Sequence, residues 1–365
     1  MVTKANKTAQ RYPYEPDYVT EPGDTLQETI DSLGISQKEL AARTGFTPKH
    51  INQLISGVKR ISPETALRLE KVTGVPARFW NNLESNYQER KARLEDSKSS
   101  AAELSWLKSI PTKELVARGV IRGSADQNEL LQETLTFFRV ASVEAWKKGW
   151  SHHQIAFRKS GSKTDCSGKI AAWVRLAEIE AEATECSSFD LKSFRNAVQE
   201  LRTLVDSEPK VFVPAMREKC AAAGVAVALV QELSGGHVSG AAKWLSSSKA
   251  MIALNLRGKA LDKFWFTFFH EAGHLLNDDK DQMFVDVEYS DDPRELAANK
   301  FAREILIPPK HEEELPVLRT ESAVCAFAQR IKVHPAIVVG RLQREGIIPF
   351  NRMNGLKPRL DWAAE

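Results

Sequence analysis

His270-Glu271-Ala272-Gly273-His274 lies inside an apolar stretch that runs from Phe264 to Leu276 and includes Trp265, Phe266, Phe268, Phe269 and Leu275. Apolar residues on all sides mark a helix buried in a domain core. Two imidazoles and a carboxylate are costly in such a place unless something satisfies them. Four residues advance a helix by about 400°, so His270 and His274 stack on one face, a turn apart. There both can grip one divalent cation with Glu271 beside them. Glu271 is then placed to take a proton from a metal-activated water. At average composition this spacing arises by accident in about one chain in a hundred of this length, and the apolar surroundings weigh further against accident. Ala272 and Gly273 are small, so a peptide or a neighbouring backbone can pass close above the metal.

A catalytic zinc usually takes three protein ligands and a water. Downstream, Glu295-Leu296-Ala297-Ala298-Asn299-Lys300-Phe301-Ala302 is rich in helix formers, with an apolar stripe expected at Leu296, Phe301 and Ile305 and a stop at Pro308-Pro309. Glu295 and Asn299 share a face. Glu295 is the expected third ligand, and Asn299, one turn on, is expected to hold a histidine ring or the Glu295 carboxylate. Without the upstream motif, Glu295 reads as a solvated first-turn glutamate favoured by the helix dipole. Asp278, Asp279, Asp281, Asp286, Glu288, Asp291 and Asp292 are competing carboxylates in a polar stretch expected to loop.

The segment from about 225 to 308, with GVAVALV, HVSGAAKWL, AMIALNLRG, FWFTFFHEAGHLL and ELAANKFAREILIP, resembles the ImmA/IrrE family of metallopeptidases. The resemblance implies zinc-dependent cleavage of repressor proteins, with His270, His274 and Glu295 as ligands and Glu271 as general base. Many relatives carry a second acidic residue where this chain has Ala297; the spacing from Glu295 to Asn299 is kept.

A chain of 365 residues exceeds what one core usually organises. Five divisions are expected: a tail at 1–23, a helical DNA-binding domain at 24–90, a helical middle region at 91–205, a metallopeptidase core at 206–310 and a helical close at 311–365. The expected fold class is α+β, the core being zincin-like with a small antiparallel sheet packed on the histidine helix. Net charge is +3 from 51 basic and 48 acidic residues, which gives no global argument for nucleic acid or membrane. Four scattered cysteines without a Cys-x-x-Cys pair argue against a disulfide scaffold or a thiolate zinc cluster. No stretch reads as a signal peptide or a membrane span, so a cytoplasmic location and no membrane partner are expected.

Near the amino terminus, Leu26, Ile30 and Leu33 form a helical stripe ending at Gly34. Ser36-Gln37-Lys38-Glu39 reads as a capping box that opens a second helix. After a turn at Gly45, Thr47 caps and Pro48 starts a third. Two short helices across a glycine turn fit a helix-turn-helix. Between Ser36 and Arg60 five bases (Lys38, Arg43, Lys49, Lys59, Arg60) stand against one acid, Glu39, a local excess of +4. Such focused charge neutralises phosphate. Lys49, His50, Asn52 and Gln53 on the exposed face of the third helix are the candidates for the major groove, Gln37 for a phosphate, and Lys59 and Arg60 complete the patch. Residues 34–88 are similar to the XRE-type domain of HigA-like antitoxins, which implies binding to double-stranded operator DNA, usually as a homodimer.

Charged and serine-rich residues 90–100 read as a hinge. Residues 104–204 are mainly helical, with stripes at Leu130, Leu131, Leu135, Phe138 and at Ala171, Val174, Leu176, Ile179; His152-His153 and the polar loop 159–169 read as surface. Strands are expected at 225–230, 239–245 and 250–256, where an edge beside the metal can hold an extended substrate. His237 reads as an exposed turn residue and His334, before Pro335, as structural. Two functions remain open. One is a DNA-tethered zinc endopeptidase acting on a repressor or a toxin-antitoxin protein; the other is a non-proteolytic repressor whose metal domain senses or binds a partner. Residue type does not separate Zn2+ from Mn2+.

Overall fold

The computed structural model describes residues 20–96, 100–150, 167–277, 283–285 and 292–362, with backbone alone at 96 and 283–285. The chain divides into two compact units, Met1–Ser100 and Ala101–Glu365. The expected tail up to residue 19, His152-His153, residues 159–166 and six of the seven competing carboxylates (all but Asp292) lie outside the described residues.

The first unit holds α1 (Pro22–Ser32), α2 (Gln37–Thr44), α3 (Pro48–Ile55), α4 (Pro63–Thr73) and α5 (Ala77–Asp96). Capping sets the boundaries: the Ser36 hydroxyl accepts from Glu39 N, the Thr47 hydroxyl from His50 N and the Ser62 hydroxyl from Thr65 N. Each such cap is worth about 1 kcal/mol. Gly45 and Gly74 end α2 and α4 at φ 72° and 76°, a conformation that glycine adopts without strain. Only half of the expected capping box forms, because the Glu39 carboxylate turns to Arg43 one turn on. Leu26, Ile30, Leu40, Ile51, Leu54 and Trp80 fill the core. Leu33 does not join them; it follows the last turn of α1 and is 46% exposed. The expected hinge is helical through Asp96.

The second unit begins with α6 (Ala101–Leu107), α7 (Thr112–Ala117), α8 (Gln127–Phe138), a helical turn at 143–150, α9 (Ser167–Ala183), α10 (Leu191–Arg202) and α11 (Pro209–Ala222). Then come β1 (Val225–Leu229), β2 (Gly240–Ser246), β3 (Lys249–Leu254), α12 (Leu261–Asn277), β4 (Met283–Val285), α13 (Pro293–Leu306), α14 (Glu321–Ile331) and α15 (Pro335–Arg344). The sheet order is β1-β3-β2-β4. It is mixed, not wholly antiparallel as expected: the tight β2–β3 hairpin lays β3 beside β1, so β1 and β3 run parallel. The first three strands fall within two residues of their expected positions; β4 lies in the stretch read as a loop.

Both sheet faces are covered, which explains the apolar strand composition. Val225, Val227, Ala242, Ile252 and Leu254 face the core that contains α12, with Trp265, Phe268 and Phe269. Ala226, Ala228, Ala241, Met251 and Ala253 face Trp106, Leu131, Ile170 and Trp173 of the helices that precede the sheet. Alanines on that side let α9 approach closely. Within the region read as a separate middle, α6, α8 and α9 cover this sheet face, while α10 packs with α12, α14 and α15 on the other.

Candidate metal centre and nucleic-acid interface

α12 is buried almost throughout. Trp265 stacks on Phe269, with centroids 5.6 Å apart, and meets Phe212 of α11 at 4.9 Å. Asp262 near its start pairs with Lys357 at 2.8 Å. This packing fixes the helix, and the helix fixes its polar triplet: His270 is 2% exposed, Glu271 0% and His274 1%.

α13 is brought against α12 by small residues. A Cβ on Gly273 would stand 3.2 Å from Ala298 Cα, so of the two uses expected for this small residue, a peptide or a neighbouring backbone, the backbone of α13 takes the space. Asp292 caps α13, accepting from Arg294 N at 2.9 Å and pairing with Arg294 Nη2 at 2.7 Å; these contacts hold its carboxyl at about 2. At the far end Arg202 of α10 donates to the carbonyls of Ile305 and Leu306 and to those of Ile331 and Lys332 in α14, at 2.7–3.1 Å. A cation is favourable where helix C-termini converge. The inward stripe of α13 runs through Ala298, Ala302 and Ile305. Leu296, expected in that stripe, is 55% exposed, because the register that turns Glu295 and Asn299 inward turns Leu296 out.

His270, His274 and Glu295 converge, with one donor atom from each within 4.8 Å of the others. The separations are 3.1 Å between the two Nε2 atoms, 3.1 Å from His270 Nε2 to Glu295 Oε2 and 3.4 Å from His274 Nε2 to Glu295 Oε1. A tetrahedron with ligands about 2.0–2.1 Å from its centre has edges of roughly 3.3 Å; each Glu295 oxygen lies near that distance from one imidazole, so the residues can close on a small cation. His270 Nδ1 lies 3.2 Å from Asn299 Oδ1. An amide oxygen only accepts, so the His270 ring carries a proton on Nδ1, which leaves Nε2 as the nitrogen that would meet a metal. Burial raises the Glu295 carboxyl, but hydrogen bonds and charge from the two imidazoles outweigh it and hold the group at about 2. Glu295 is thus an anion at neutral pH. Glu271 lies against β2, where a Cβ on Gly240 would stand 2.6 Å from Glu271 Oε1. The sequence placed Gly240 inside an expected strand, 239–245; its closeness to Glu271 is visible in the fold alone.

Two further histidines of the second unit have other roles. His237 is exposed at φ 51°, and the His334 ring caps α15 by accepting from Ala336 N at 3.1 Å.

In the first unit Lys49, Asn52, Lys59 and Arg60 are exposed and Gln53 is half-buried, on α3 and the turn after it. Gln37 donates to Gln27 Oε1 at 2.7 Å, which ties the start of α2 to α1. The His50 ring stacks on Phe46 with centroids 4.4 Å apart, and its Nδ1 lies 3.4 Å from Lys59 Nζ. Burial, then Lys59 and Arg68, lower its pKa, so it adds no charge for phosphate. His50 is thus half-buried against Phe46, a contact the sequence reading did not include. Arg68, missed in the sequence because it belongs to α4, lies 4.7 Å over the Phe46 ring and donates to Thr44 O at 3.2 Å.

A helix-turn-helix family matches residues 26–80, and the family described as IrrE N-terminal-like domain matches residues 226–343. The uncharacterized HTH-type transcriptional regulator YddM of Escherichia coli (strain K12) is 34% identical over 64 residues, 18% of this chain and 68% of that protein. The chain belongs to the helix-turn-helix regulators and carries an IrrE-like domain after that module. Virulence-associated protein I of Dichelobacter nodosus is 33% identical over 67 residues, 18% of this chain and 62% of its own length. These two relatives thus match less than a fifth of the chain. Among the described residues no helix is long and apolar enough to cross a membrane.

Proposed function

We propose that the chain is a DNA-tethered metallo-endopeptidase of the cytoplasm. In this reading His270, His274 and Glu295 hold Zn2+, with Mn2+ the other candidate, Asn299 orients His270 and Glu271 is the general base. The observation that carries the reading is the set of 3.1–3.4 Å separations among three donors from two helices, with an acid group at the next residue of the chain. A bound divalent cation supplies Lewis acidity, polarising a peptide carbonyl and acidifying water.

The chain's own residues do the rest. The Glu295 anion and the His270 ring, held at Nδ1 by Asn299, fix charge and direction in the cradle. Buried at 0% exposure, the Glu271 carboxylate accepts a proton from the attacking water and returns it to the departing amine nitrogen. Glu295 closes the cradle from a second helix, so any shift of α13 against α12 changes the site. Lys49, Asn52 and Gln53, with Lys59 and Arg60 beside them, meet double-stranded operator DNA, as a homodimer on a two-fold site. Gln37, joined to Gln27, sets the docking of α2 near phosphate. Tethering raises the local concentration of a repressor or a toxin-antitoxin protein assembled on the same DNA.

Glu271→Gln tests the reading. The variant is expected to retain wild-type metal content and DNA binding while losing all cleavage of proteins encoded beside it. If wild type, with metal fully loaded, leaves those proteins as intact as the variant does, the domain is a non-proteolytic sensing or partner-binding module of a repressor.

A further inference from the structure

Gly240, the first residue of β2, is the strand position that stands against Glu271: a Cβ there would also lie 2.5 Å from Thr267 Cγ2 of α12. A strand holds an extended peptide only along an edge whose backbone N–H and C=O groups are not already paired. One edge of β2 is taken by β3 from Gly240 to Ser246. The other is taken by β4, antiparallel, with Ala241 opposite Val285, Ala242 opposite Phe284 and Lys243 opposite Met283. β4 is supplied by the connector between α12 and α13, the two helices that bring the donor set together.

We infer that β4 occupies the substrate's seat. The outer edge of β2 is where an unfolded, extended protein segment pairs to reach the centre, and β4 is a built-in competitor that leaves before such a segment binds. This inference rests on the metallopeptidase reading above. Three observations converge on it. β2 is the strand that adjoins the general base. Its pairing with β4 covers Ala241–Lys243, immediately next to Gly240, so an extended chain running past Glu271 along β2 meets the same backbone groups. The described β4 residues, Met283–Val285, form the outer row of the sheet on β2, the place where an added strand pairs.

The substrate class follows from the exchange. A segment able to replace β4 presents free backbone N–H and C=O groups in an extended conformation, so a partner is cut at unfolded or opened segments and spared where its chain is folded. The direction follows as well: a segment taking the place of β4 runs antiparallel to β2.

The test uses the full chain loaded with zinc, with casein as an unfolded probe and chelator-sensitive cleavage as the readout. Successive strand N–H groups point to opposite sides, so of Phe284→Pro and Val285→Pro made separately, one removes an amide that faces β2. That variant is expected to cleave casein at least tenfold faster than wild type at equal zinc content. The double variant Ala242→Cys with Phe284→Cys, its cross-link verified by peptide mapping, is expected to cleave at no more than a tenth of its reduced rate. Rates within twofold across wild type, both proline variants and both redox forms would overturn the inference and leave the peptidase reading standing. If no form cleaves casein, released variants included, the peptidase reading fails and the inference falls with it. A second readout needs no turnover: in Glu271→Gln, saturating casein is expected to abolish hydrogen-exchange protection at 283–285 while 241–243 stay protected. Unchanged protection at 283–285 with casein bound would overturn the inference.

Discussion

Asn299→Ala removes the acceptor that faces His270 Nδ1 at 3.2 Å and touches no metal donor directly. His270 then loses the partner that fixes both its proton and its ring plane. With the ring 2% exposed, water does not freely replace that partner. Loss of an outer hydrogen bond of this kind costs roughly 10–100-fold in metal affinity, equivalent to about 1.4–2.7 kcal/mol. Asn299→Asp keeps an oxygen at the same place and makes it a stronger acceptor, so it is expected to match or exceed wild type. Competition with a chromophoric zinc chelator at fixed pH measures all three proteins, and Glu271→Gln gives the baseline for a nearby change that spares the donor set. The reasoning fails if Asn299→Ala binds zinc within twofold of wild type, or if Asn299→Asp binds as weakly as alanine.

Phe268→Ala empties a fully buried ring site beside Trp265 and is expected to cost about 3–5 kcal/mol in urea unfolding of the metal-free protein; a loss below 1 kcal/mol would mean that α12 is not the packed centre of its core. Asp292 has its carboxyl lowered to about 2, so the stability it lends α13 is present above the ordinary carboxylate range and is lost as pH falls through about 2. The stability gap between wild type and Asp292→Asn is therefore expected at pH 6 and is expected to close between pH 4 and 2 in urea titrations; a gap that persists at pH 2 contradicts the cap's electrostatic origin. Lys49→Ala is expected to lower the slope of log affinity against log salt by about 1 on duplex DNA and to leave zinc content unchanged. An unaltered slope in fluorescence anisotropy would take α3 out of the phosphate interface.

Local rules made much of this molecule legible. The spacing of His270 and His274 with its apolar surround announces a buried helix and a shared face, and Glu295 with Asn299 announces a second. Ser36, Thr47 and Gly45 announce the boundaries of α2 and α3. Where the reading departed from the fold, packing contacts decided. Leu296 looks core-like by composition, yet the turn of α13 that delivers Glu295 to the histidines exposes it. His50 has the polarity of a base reader, but Phe46 four residues earlier captures its ring. The sheet is mixed because β3 inserts between β1 and β2, a choice no strand-length pattern encodes. Helices α6, α8 and α9 carry no catalytic motif, and their role, covering the alanine-rich sheet face, appears only once Ala226, Ala228, Ala241 and Ala253 are seen together. Gly240 illustrates the same limit: nothing in its neighbours marks it as the residue that stands against Glu271.

Zinc K-edge absorption on the zinc-loaded full chain, paired with metal content by mass spectrometry, tests the central claim most directly. The account expects one zinc per chain with two imidazole nitrogens at about 2.0–2.1 Å and the remaining positions filled by oxygen, and loss of one oxygen neighbour together with weakened retention in Glu295→Ala. Sulfur in the first shell, or a spectrum and zinc content unchanged by Glu295→Ala, would contradict it.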